Sequence, residues 1–191
     1  MNMSTGNLYI LSGPSGVGKT TLCRYILEIW GTRCGIERAK SYTTRLSRGT
    51  DDTEYFFITP EDFARKEQEN FFIETTEIYG NNYGLGKDIQ EQLIQGKSLV
   101  AITDTRGAQK IIAVIPTAIA LWIDVSDDKI LAQRLLNRGT EATQDRFQRI
   151  EQRVAERAKA RASGIYKYFI LNNTHSMAHA ALNSIFARCL I

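Results

Sequence analysis

Four short runs set the frame of this chain: Leu8-Tyr9-Ile10-Leu11, Ser98-Leu99-Val100-Ala101-Ile102-Thr103-Asp104, Ala118-Ile119-Ala120-Leu121-Trp122-Ile123-Asp124 and Tyr168-Phe169-Ile170-Leu171-Asn172. Each is apolar on successive positions rather than on alternate ones. A strand with one wet face alternates, so an unbroken apolar run of this length predicts a strand covered on both faces, as in a parallel sheet. Between them the period changes. Thr21 to Trp30 carries apolar residues at helical spacing, with Gly31 placed to stop the helix. A helix is expected to open at Ser126 as its cap, with Asp127 and Asp128 in the first turn, and another helical pattern ends near Leu190. Strand alternating with helix predicts an α/β fold, a doubly wound parallel sheet flanked by helices, in which two strand runs close on an aspartate, Asp104 and Asp124.

Two segments break the alternation. From Ser41 to Gly86 the strand candidates Glu54-Tyr55-Phe56-Phe57-Ile58 and Phe71-Phe72-Ile73-Glu74 flank a short helix that Thr59-Pro60-Glu61-Asp62 would cap. This predicts a small, mostly antiparallel insertion. From Arg134 to Arg157 the pattern is helical and charged, with Arg134, Arg138, Arg146, Arg149, Arg153 and Arg157. On charge alone it fits a solvated helix with glutamate partners as well as an anion-binding one.

Composition adds limits. With 191 residues, 43% of them hydrophobic and 24% charged, the chain has an ordinary globular make-up and a single domain is expected. A net charge of +3 without a dense Lys/Arg run argues against nucleic acid as a partner. Cys23, Cys34 and Cys189 are odd in number and lack metal-ligand spacing, so they read as free thiols of a reducing compartment, Cys23 as helix core. The first six residues carry no signal sequence, and the most apolar run, from Ile111 to Ile123, is short and holds Pro116; no membrane span and a cytoplasmic location are expected. His175 and His179 are one helical turn apart, but without a third ligand they read as helix-surface residues.

The chemistry concentrates at Gly13-Pro14-Ser15-Gly16-Val17-Gly18-Lys19-Thr20, which satisfies GxxxxGK[ST] between a predicted strand and a predicted helix. Such glycines let successive backbone N–H groups turn inward around phosphate oxygens at a helix N-terminus, where the helix dipole also favours negative charge. Lys19 is placed to reach the β- and γ-phosphates, and the Thr20 hydroxyl to ligate Mg²⁺. The expectation is a nucleoside triphosphate site running from Gly13 to Thr21.

Further motifs follow in order: Ser41-Tyr42-Thr43-Thr44-Arg45-Leu46-Ser47-Arg48, Phe72-Ile73-Glu74, Gly80-Asn81-Asn82-Tyr83-Gly84, Asp104-Thr105-Arg106-Gly107, and Arg134 to Glu141 as RLxxRGTE. With the GPSGxGKT loop, this ordered set resembles the guanylate kinase family over nearly the whole chain. The resemblance implies ATP-dependent conversion of GMP, and of dGMP, to GDP by in-line transfer. It also implies a core of residues 1–40, 87–133 and 158–191, a GMP-binding insertion of 41–86 and a lid of 134–157. Ser41, Arg45, Arg48, Tyr55 and Tyr83 would then hold the GMP phosphate. Glu74 and Asp104 would read guanine, Asp104 having Mg²⁺ as a competing partner. Arg134, Arg138 and Arg149 match positions that stack on adenine or stabilise the moving phosphoryl group, and Asn172 matches an adenine-contacting position. Lys19, Arg45, Arg138 and Arg149 form the implied catalytic set, in a monomer or homodimer whose partners are small nucleotides.

Three departures lie on the acceptor side. Leu85 stands where the family has a Ser or Thr donating to guanine O6, Ile102 where it has an acidic residue, and the turn between Arg48 and Tyr55 is shortened. A sister group, the ribose 1,5-bisphosphate phosphokinases, shares a YGxG element with an apolar residue, like Tyr83-Gly84-Leu85-Gly86, and needs no base-reading carboxylates. Retention of Glu74, Asp104, Arg45 and Arg48 favours GMP. A non-catalytic, protein-binding relative of the fold is disfavoured by Lys19-Thr20 and the arginine-rich lid.

Overall fold

The computed structural model describes residues 5–47, 49, 54–78, 80–137 and 143–187; of residue 128 and of 135–137 and 143–152 it describes the backbone alone. In chain order the first elements are β1 (Leu8–Ser12), α1 (Lys19–Ile26), a π-helical turn (Leu27–Gly31), α2 (Thr32–Cys34), β2 (Ile36–Arg38), β3 (Ser41–Thr43) and β4 (Tyr55–Phe57). Next come α3 (Pro60–Gln68), β5 (Phe72–Ile78), β6 (Asn81–Gly86), α4 (Ile89–Ile94), β7 (Ser98–Ile102) and α5 (Thr105–Val114). The chain continues through β8 (Ile119–Asp124), α6 (Asp128–Asn137), α7 (Thr143–Ser163), β9 (Tyr166–Leu171) and α8 (His175–Phe186).

The larger sheet is parallel, with order β2-β7-β1-β8-β9. Both of its faces are covered, which is why the runs read as unbroken. Tyr9, Leu11, Val100, Leu121, Ile123 and Ile170 pack toward α1 and α8, while Leu8, Ile10, Leu99, Ala101, Ala120 and Trp122 face α4, α5 and α7. β1 lies between β7 and β8, so the crevice beyond its carboxyl end is the switch point where such sheets bind ligands. The loop that follows β1 is the phosphate-binding motif.

The smaller sheet has order β4-β3-β6-β5. It is mixed: β3 pairs with β6 and β5 with β6 antiparallel, but β3 and β4 run parallel. Residue alternation, shifted by a bulge between Phe72 and Glu74, gives it two faces. Tyr42, Phe71 and Phe72 cluster on one, with α3 beneath through Phe63. Glu74, Thr76, Tyr55 and Tyr83 occupy the other and look toward the switch point.

Several boundaries differ from expectation for local reasons. Gly31 does not end the first helical stretch; it lies at the end of the π turn, and the chain breaks at Gly35, which takes φ 64°. Ser126 is not the cap of α6. Asp127 is, its Oδ1 accepting the Lys129 N–H at 2.8 Å, while the Ser126 N–H is engaged by Asn173. β7 ends at Ile102, so Asp104 is not a strand end but the cap of α5, accepting the Gly107 N–H at 2.8 Å. The Thr59 cap of α3 forms as expected, accepting from the Asp62 N–H. Among the described residues no helix is long and apolar enough to cross a membrane.

Candidate functional site

The phosphate loop follows from two contacts that leave no room for side chains. At Gly13, with φ 148°, a Cβ would lie 2.1 Å from the Ile123 carbonyl oxygen; at Gly18, with φ 95°, it would lie 2.5 Å from Asn172 Nδ2. The loop thus presses against the ends of β8 and β9. From beneath, the Val17 carbonyl accepts from Asn172 Nδ2 at 2.8 Å and from Arg134 at 3.3 Å, and Arg134 donates again to the Asn172 carbonyl at 2.7 Å. Asn172 is only 2% exposed. Arg134 and Asn172, both expected from the resemblance to contact ATP, hold the loop through these bonds. Lys19 Nζ folds over the loop, 2.6 Å from the Gly13 carbonyl and 2.9 Å from that of Pro14.

Two clefts meet at this lysine. One, of about 450 Å³, opens above the loop between α5 and α7, with Ser15, Lys19, Asp104, Glu156 and Lys159 among its walls. The other, of about 330 Å³, lies between the loop and the small sheet. It gathers Gly13, Lys19, Thr20, Ser41, Tyr55, Glu74, Tyr83 and Asp104, eight residues expected from the sequence to hold substrate, cofactor or metal. Gly13, Lys19 and Asp104 border both clefts.

Within the second cleft, Tyr55 and Tyr83 meet edge to face at 5.7 Å. The Arg45 guanidinium lies 5.3 Å from the Tyr55 ring centre and 5.4 Å from that of Phe57, so it stands beside Tyr55, although it is not among the residues that line the cleft. Glu74 sits deep. Burial, with Asp104 nearby, pushes its carboxyl from the usual 4.5 up to about 7, against a smaller opposing pull from Lys110. Leu85 shares the face of Glu74 across the β5–β6 pairing, but it is 2% exposed and packs into the core with Ile73 and Ile89. The hydroxyls that line the cleft near Glu74 are instead those of Thr76 and Thr103. Neither had been singled out from sequence, nor had Arg38, Glu156 or Lys159, because none belongs to a motif.

Arg48 and Arg138 lie outside the described residues, and so does the side chain of Arg149. Thr21 is exposed on the first turn of α1. The two later arginines of the charged stretch behave unlike either sequence expectation. Arg153 Nε donates to Asp124 Oδ1 at 2.8 Å and Arg157 Nε to Oδ2 at 2.6 Å, and both guanidinium groups reach the Val125 carbonyl. Burial alone would raise the Asp124 carboxyl; the hydrogen bonds from Arg153, the Val125 N–H and Arg157 outweigh it and hold it below its ordinary range. The C-terminal half of α7 is therefore clamped to the end of β8. His179 stacks on Tyr25 with ring centres 3.6 Å apart, a packing role.

The comparisons agree with this geometry. The guanylate kinase family profile matches residues 5–188. The guanylate kinase of Nitrosospira multiformis is 35% identical over 177 residues, covering 91% of this chain and 81% of that protein. That of Pseudomonas fluorescens is 34% identical over 190 residues, covering 97% and 89%. In fold, the chain is similar to the crystal structure of guanylate kinase from Anaplasma phagocytophilum, with a TM-score of 0.72 at 24% identity over 98% of this chain and 88% of that one. On the profile and on both relatives, the chain belongs to the guanylate kinase family.

Proposed function

We propose that the two clefts hold the two substrates of a guanylate kinase, an ATP-dependent nucleoside monophosphate kinase, with their phosphates meeting at Lys19. The observation that carries this reading is the shared border: Gly13, Lys19 and Asp104 belong to both clefts, as transfer between two bound phosphates requires. Loop N–H groups from Gly13 to Thr20, with Lys19, cradle the β- and γ-phosphates of ATP. The glycine contacts support this, since the loop is shaped where a Cβ would fill it.

Thr20 and Asp104 bring a hydroxyl and a carboxylate to one cleft, hard oxygen donors of the kind Mg²⁺ takes. Bound there, Mg²⁺ would neutralise phosphate charge. On the acceptor side, Ser41, Arg45, Tyr55 and Tyr83 hold the GMP phosphate, with Arg48 from the same segment, and Arg138 and Arg149 come from the lid. Guanine N1–H and N2–H₂ are donors, which Glu74 and Asp104 accept. Phosphoryl transfer asks little covalent chemistry of the protein; alignment and charge neutralisation by Lys19 and the arginines suffice.

The direct test is an ADP-release assay offering GMP, dGMP, IMP, AMP and ribose 1,5-bisphosphate in parallel. Turnover of GMP and dGMP is expected. Turnover of the sugar bisphosphate alone would replace the acceptor.

A pH dependence follows from Glu74. Guanine needs the ionised carboxylate, yet the free protein holds it protonated up to about 7. The KM for GMP is expected to fall as pH rises, by about tenfold per unit below that pKa, and to level off above it. Stability runs the other way. Because the folded pKa lies above the unfolded one, the contribution of Glu74 is complete below 4.5 and is lost as pH rises through about 7. Glu74→Gln separates this from titration of the GMP phosphate: a KM slope unchanged in the variant would mean that Glu74 is not its source.

A further inference from the structure

Arg38 is the last residue of β2, at the carboxyl end of a parallel strand, and its side chain lines the cleft between the phosphate loop and the small sheet. Its hydrogen bonding is unusual for a guanidinium. NH1 donates to Cys23 Sγ at 2.7 Å, and Nε is buried without a partner. Burial pushes the Cys23 thiol up despite the arginine beside it, so the sulfur stays neutral and accepts only weakly. Glu54 lines the same cleft, yet its ion pair is with Arg24, at 3.7 Å on the outer side.

An arginine carrying five donors, with one buried nitrogen unmatched and a thiol as acceptor, is costly to hold in that state. Its surroundings show what would satisfy it. Tyr55 lines the same cleft, and its hydroxyl, pushed up by burial, is drawn down by Arg38 and pushed up by Glu54. Ser41 and Thr20 line the same cleft. A guanidinium fork facing hydroxyls suits an anionic oxygen cluster far better than a base edge or a ribose.

We propose that Arg38 is a further contact to the acceptor phosphate, adding to the phosphate-holding group from the end of the parallel sheet. The inference rests on reading this cleft as the acceptor site.

The test uses Arg38→Met and Arg38→Lys in the full chain, with GMP and guanosine affinities measured by calorimetry and thermal melting of the ligand-free protein. Arg38→Met is expected to weaken GMP by about ten- to a hundredfold while leaving guanosine unchanged. The ligand-free melting temperature should stay level or rise, because a buried nitrogen without an acceptor is removed. Arg38→Lys, which keeps charge but not the fork, should fall between.

Unchanged GMP affinity, equal losses for GMP and guanosine, or a lowered ligand-free melting temperature without a GMP-selective loss would overturn the proposal. Arg45→Ala is the internal reference. If it too leaves GMP affinity intact, the acceptor-site reading itself fails; if it weakens GMP and Arg38→Met does not, only the role of Arg38 falls.

Discussion

Lys19→Ala is expected to lower turnover at least a hundredfold, about the cost of removing one preorganised charge contact from a phosphoryl-transfer site. The structure gives the reason for expecting so much from one residue. Lys19 is common to both clefts, so on the proposed reading its ammonium would face the donor phosphates and the acceptor at once. In the ligand-free protein Nζ is held by the carbonyls of Gly13 and Pro14, so the charge is already poised over the loop rather than recruited from solvent. The fold should survive, since these two bonds are local to the loop. Circular dichroism and melting check that, and ADP release measures the loss; a variant retaining more than about a tenth of turnover would contradict the assignment.

Glu74→Gln is expected to lower kcat/KM for GMP by about ten- to a hundredfold without a comparable effect on any residual AMP turnover. A glutamine amide can turn a donor toward guanine N1–H and leave both groups unpaired in a buried site. Stability should move in the opposite direction at alkaline pH. There the wild-type protein buries a carboxylate whose ionisation burial resists, and the amide removes that cost. A variant that loses stability at high pH and keeps its preference for GMP would show that Glu74 braces the sheet rather than reading the base.

The parallel core was legible because both faces of β1, β7, β8 and β9 are covered, which makes the strands unbroken apolar runs. β2, β3 and β6 were not. β6 is Asn81-Asn82-Tyr83-Gly84-Leu85-Gly86, a composition poor in strand formers, and it pairs because its neighbours require it: Gly84 gives room to the Phe72 ring, and the Asn82 N–H is received by the Thr44 hydroxyl. The acceptor cleft was legible where a motif marked it, as at Ser41, Glu74 and Tyr83. Arg38 was not, because a single arginine ending a three-residue strand has no periodic signature. Arg153 and Arg157 looked like surface or phosphate-binding charges, since nothing local in sequence announces that Asp124, far upstream, receives them. Leu85 looked like a lost hydroxyl in the base pocket; its burial among Ile73 and Ile89 places the side chain in the core instead.

The two sheets share no strand pairing among the described residues. The parallel one closes its ladder from β2 to β9, whereas the mixed one coheres through its own pairings and the aromatic cluster of Tyr42, Phe71 and Phe72. They do share a core: Ile73 and Leu85 of the small sheet pack in one apolar cluster with Leu8, Ile10, Leu99 and Ala101 of the parallel one. Any shift of the small sheet against the phosphate-loop sheet therefore spares the ladder hydrogen bonds of both and must give at that shared apolar contact, where Ile73 and Leu85 sit next to Glu74 and set how deep its carboxyl lies.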